Sequence, residues 1–140
     1  MISMRNPYLM RAGATARGVP RVMRSSTIVG SAVRNLKGDD LGKIQELMID
    51  VATGRIAYAV LAYGGFLGMG DKLFAIPGEA LMARSDERQF MLDLDEETLK
   101  TAPGFDRDHY PTTADTNWLS NVYTHYGYTP YWGGTGDVPR

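Results

Sequence analysis

No cysteine occurs in the chain, so disulfides, thiolate metal ligands and cysteine nucleophiles are excluded. Histidine is almost as scarce: two residues, His109 and His125, have to serve any imidazole chemistry. Long apolar runs are missing too. The longest uncharged apolar run, residues 56–70, holds four glycines and is shorter than the roughly 20 residues a membrane-spanning helix needs. Arginines interrupt the first 24 residues every few positions, which leaves no apolar centre for a secretory signal. Acid is absent at one end: residues 1–25 carry Arg5, Arg11, Arg17, Arg21 and Arg24 and no Asp or Glu. The remaining body holds 10 basic and 16 acidic groups. Nucleic-acid and anionic-membrane binders spread Lys and Arg over the contact face, so nucleic acid is not an expected partner of the body. Any membrane association is expected to be peripheral at most.

What is present is a run of short, alternating segments. Residues 43–51 place Gln45, Leu47, Ile49 and Val51 on one face and Glu46, Met48 and Asp50 on the other, the period of a half-buried strand. Thr53 and Gly54 turn the chain. Residues 55–63 follow with Ile56, Tyr58, Val60 and Ala62 against Ala57, Ala59, Leu61 and Tyr63, so neither face is polar and something must cover both. A partner subunit or the protein's own aromatic helix is expected there. Strands are further predicted at residues 27–34, 72–76, 79–84 and 89–94, with polar or glycine-containing turns between them. Six short strands at this spacing point to an all-β fold, a small barrel or sandwich. Asp95 reads as the cap of a short helix over residues 96–100, with acids in its first turn and Lys100 at its end. A second helix is predicted over residues 114–126, with Trp118, Leu119, Val122, Tyr123 and Tyr126 on one stripe.

The chain therefore divides into a basic leader expected to be disordered, residues 1–25, a β domain, residues 26–105, and a C-terminal extension with one aromatic helix and a flexible tail, residues 106–140.

The segments GKIQELMIDVATGRIAYAVL, GGFLGMGDKLFAIPGEAL and FMLDLDEETLKTAPGFD together resemble a stand-alone bacterial PRC-barrel domain. WLSNVYTHYGYTPYW is similar to the C-terminal extension of free-standing members. The resemblance implies a six-stranded, partly open antiparallel β-barrel followed by a helical extension. The same barrel forms the cytoplasmic domain of the photosynthetic reaction centre H subunit and part of a ribosome-maturation protein. The membrane helix that anchors the first has no counterpart in this sequence, and neither has the RNA-handling domain of the second. The fold carries over more directly than either activity.

No motif supplies catalysis. Gly65 and Gly70 are spaced as in a phosphate-binding loop, but Asp71-Lys72-Leu73 stands where Lys and Ser or Thr are required. Asp106, Asp108 and His109 read as a solvated loop and His125 as a polar edge residue. Asp93, Asp95, Glu96 and Glu97 sit at a helix start, where they favour the positive end of its dipole. No catalytic residue, metal ligand or cofactor is expected.

The candidate interface residues are apolar and aromatic: Phe66, Leu67 and Met69 on the glycine-rich loop, and Trp118, Tyr123, Tyr126, Tyr131 and Trp132 in the extension. The expected function is a non-enzymatic interaction or assembly module. It would form a homodimer or dock on a larger complex, with reaction-centre-type assemblies implied by the resemblance. It would work in the cytoplasm or on the inner face of the membrane. The alternative is an RNA- or ribosome-associated factor that uses the arginine leader.

Overall fold

The computed structural model describes residues 9–11, 15–16, 19–20, 22–63, 72–84, 89–111 and 116–132. Its strands are β1 (Leu9–Arg11), β2 (Thr15–Ala16), β3 (Val19–Pro20), β4 (Ala32–Asn35), β5 (Asp40–Asp50), β6 (Arg55–Tyr63), β7 (Lys72–Ile76), β8 (Leu81–Arg84), β9 (Gln89–Leu92) and β10 (Gly104–Phe105). Three helices accompany them, α1 (Ser25–Ile28), α2 (Glu96–Lys100) and α3 (Thr116–His125). Eight strands form one sheet in the order β1-β8-β9-β4-β5-β6-β7-β10, while β2 and β3 pair separately. The six strands expected from the sequence are β4 to β9. Val33, Ile44, Leu61, Phe74, Leu81 and Phe90, one from each of them, meet in a single buried cluster, the signature of a sheet curled around its own interior. Leu99 of α2 joins that cluster, fully buried. Among the described residues no helix is long and apolar enough to cross a membrane.

Local chemistry sets the turns. Between β4 and β5, the buried Asn35 accepts at Oδ1 from the amides of Lys37 and Asp39, at 3.0 and 2.9 Å. Asn35 Nδ2 donates to Asp39 Oδ2 at 3.0 Å. At the β5–β6 turn Asp50 Oδ1 accepts from the Ala52 amide, and Gly54 takes a φ of +81°, which favours glycine. Asp95 caps α2 as expected, accepting from the Thr98 amide at 3.0 Å.

Three expectations need correction. The first strand begins at Ala32 rather than at residue 27, because Gly30 turns left-handed (φ +95°) and breaks the extended run. The residues before it form α1, locked by a Ser31 Oγ hydrogen bond to the Thr27 carbonyl at 2.7 Å. The sheet is not wholly antiparallel: β4 pairs with β9 in parallel, Val33 opposite Phe90, and hydrophobic periodicity carries no information about a partner's direction. The fifth strand starts at Leu81, since Gly78–Ala80 forms a 3-10 turn after Pro77. Among the described residues of 1–25, β1 extends the sheet along β8 and β2 pairs with β3.

The alternation read for β5 also fails toward its end. The β5–β6 register slips between Ile44 and Glu46 and again between Met48 and Ile49. Each slip shifts the side-chain phase by one residue. Ile49 and Val51, expected with Leu47 on a buried face, are instead 48% and 92% exposed.

Candidate interaction surface

The doubly apolar β6 is covered on both sides. Ala59 and Leu61 face the barrel interior, whereas Tyr58 and Val60 join Leu73, Ala75, Phe105 and Val122 in a second cluster outside it. The protein's own aromatic helix therefore lies on the outer face. Val122 and Tyr123 are 0% and 1% exposed, and the Tyr123 hydroxyl donates to the Ala57 carbonyl of β6 at 2.7 Å. Trp118 meets Tyr58 and Phe105 edge to face, with ring centroids 5.5 and 6.0 Å apart. Gly127, at φ +82°, ends α3. The Tyr128 amide then reaches back to the Tyr123 carbonyl at 2.9 Å, as in a glycine-terminated helix end.

Past α3 the chain returns to the hairpin tip. The Tyr131 hydroxyl donates to Asp50 Oδ2 at 2.6 Å, and the Arg55 guanidinium sits 4.5 Å above the Tyr131 ring. Tyr131 and Trp132 also stack edge to face on each other and on Tyr123. Between this segment and the end of β5 runs a groove of about 510 Å³. Met48, Ile49 and Val51 form one wall, and Trp118, Leu119 and Trp132 the other.

The structure thus separates the expected interface residues. Tyr123 is buried structure, and Tyr126 is half-buried, with its hydroxyl buried and without a hydrogen-bond partner among the described residues. Trp118, Tyr131 and Trp132 are half-buried and wall the groove. Phe66, Leu67 and Met69 lie outside the described residues. Ile49 and Val51 were missed as surface residues. Nothing in their alternation signals the register slips beside Ile49, or that β5 ends at Asp50 and leaves Val51 in the turn.

His109 is exposed, its Nδ1 3.7 Å from Asp106 on the same turn. His125 Nε2 lies 3.0 Å from the Thr98 carbonyl oxygen, so that nitrogen carries the proton. Among the described residues no three His, Asp or Glu side chains come together as metal ligands would.

The phenols of the extension resist ionisation. Burial pushes Tyr123 up to about 12 and raises Tyr126, and burial with the hydrogen bond to Asp50 raises Tyr131. The same Tyr131 hydrogen bond lowers the Asp50 carboxyl below its ordinary value of 3.8. A tyrosine whose folded pKa is raised stabilises the fold fully below the unfolded value near 10, and this contribution is lost as pH rises toward the folded value. Alkaline titration of tyrosinate absorbance is therefore expected to be biphasic. Tyr123, Tyr126 and Tyr131 form the late phase, ionising only with loss of near-ultraviolet ellipticity. A single reversible step for all eight tyrosines would show that α3 does not cover β6.

Compared with known protein families, residues 20–99 match the model described as PRC-barrel domain. A search of the curated proteins finds no match.

Proposed function

Because the chain belongs to the PRC-barrel domain family, we propose that it is a non-enzymatic interaction module that pairs with a second copy of itself through the tip of the β5–β6 hairpin. One observation carries this reading. Val51 and Ile49, 92% and 48% exposed, adjoin the apolar groove walled by Trp118 and Trp132. Large aliphatic side chains left in water beside an aromatic cleft mark a contact surface. A second copy brings the same aliphatic tip and the same cleft, so a two-fold arrangement can satisfy both at once. The one described base beside the groove, Arg55, is engaged on Tyr131, which favours an apolar partner over RNA at this surface.

Sedimentation equilibrium at micromolar concentration is expected to give a mass near twice 15.4 kDa. Ile49→Glu or Val51→Asp should return the chain to 15.4 kDa, with thermal stability changed by no more than about 0.5 kcal/mol, as for exposed positions. A wild-type monomer throughout the concentration range would refute the pairing. A dimer that survives both substitutions would move the contact elsewhere.

A further inference from the structure

The groove between β5 and the chain beyond α3 holds more chemistry than apolar contact requires. Four aromatic side chains line it, Tyr58, Trp118, Tyr131 and Trp132, together with one carboxylate, Asp50, and no described Lys or Arg. The rings stand in two near-perpendicular pairs, Tyr58 with Trp118 at 74° and Tyr131 with Trp132 at 88°. An aromatic face carries negative potential, so angled rings beside a carboxylate favour a cation whose own surface is apolar. One of the four already holds a cation: the Arg55 guanidinium lies 4.5 Å above Tyr131. Arg55 does not itself line the groove, and its register partner across the hairpin is Asp50. The hydrogen bond from Tyr131 favours the ionised form of that carboxylate. A volume of about 510 Å³ suits a small molecule. Every group comes from one chain, so the site does not depend on pairing.

We propose that this groove is a binding site for a free quaternary ammonium compound of about the size of choline. Its methyl groups lie against Trp118 and Trp132, and its charge faces Asp50. A quaternary nitrogen carries no N–H, so seating it among rings leaves no donor unpaired. The ligand shares the cleft with the hairpin tip of a second copy, and dilute protein therefore gives the cleanest test.

Trp118 and Trp132 are the only tryptophans in the chain, so tryptophan emission reports on the groove alone. Choline chloride, titrated into dilute full-length protein with sodium chloride holding ionic strength constant, is expected to change that emission saturably. The neutral alcohol in which tert-butyl replaces the trimethylammonium group has the same shape without the charge. It should bind about fivefold more weakly, the scale of a cation–π contact at a partly exposed site. Trp132→Leu keeps apolar bulk and removes an indole face, so it should weaken choline about fivefold and change the neutral alcohol little. Phosphocholine brings a phosphate toward Asp50 and should bind more weakly than choline. The proposal is overturned if emission follows choline without saturating, if the neutral alcohol binds as tightly, or if Trp132→Leu leaves choline binding intact. Tighter binding of phosphocholine or of phosphatidylcholine vesicles than of choline would also overturn it, since the groove would then read a lipid headgroup.

Discussion

Gly42→Ala is expected to lower stability by more than about 3 kcal/mol, a melting-point drop on the order of 10 °C or more. Gly42 sits in β5 opposite Val33, with a φ of +125°. A side chain there would meet strain before it met any neighbour. A Cβ built on Gly42 would also fall well inside contact distance of the Ala62 carbonyl oxygen on β6. That oxygen belongs to backbone in the middle of the sheet, so neither strand can give way without loosening the ladder. Gly54 is the control: its φ is +81°, but an added Cβ would meet nothing within 4 Å. Gly54→Ala should therefore cost only the left-handed backbone term, about 1 to 2 kcal/mol. Thermal denaturation of the two variants side by side separates conformational strain from close approach. Equal losses would mean that β5 and β6 are not in contact at Gly42.

Tyr123→Ala should cost about 3 to 5 kcal/mol, the range for removing a buried aromatic side chain. Tyr123 is 1% exposed, stacks on Tyr131 and Trp132, and anchors α3 to the Ala57 carbonyl. Tyr123→Phe keeps the ring and loses that hydrogen bond, so about 1 kcal/mol is expected. Chemical denaturation gives both numbers. If Tyr123 were an interface anchor instead, the alanine variant would lose association while its unfolding midpoint stayed in place, and the assignment of α3 to the fold would fail.

The strands were legible where side chains keep strict alternation and turns are chemically marked. The Thr53–Gly54 turn, the two apolar faces of β6 and the Asp95 cap are readable because each rests on residues close in sequence. The pairing of β4 with β9 was not, since Val33 and Phe90 are brought together by the whole intervening barrel. Neither was the outward turn of Ile49: a register slip is decided by how β5 fits β6, and alternation along one strand cannot report it. The same limit applied to the aromatic extension. Composition could not separate Tyr123, which faces β6, from Trp118, Tyr131 and Trp132, which wall the groove, because that division depends on where α3 lands.

On this account the aromatic helix completes the fold and the hairpin tip beside it meets the partner. Amide exchange measured at dilute and at high protein concentration tests that division directly. Added protection with concentration is predicted at Met48 to Val51 and at Tyr131 and Trp132, with Val122 and Tyr123 equally protected at both concentrations. Exchange independent of concentration at the hairpin tip, or protection that appears at Val122 and Tyr123 only when the protein is concentrated, would contradict it.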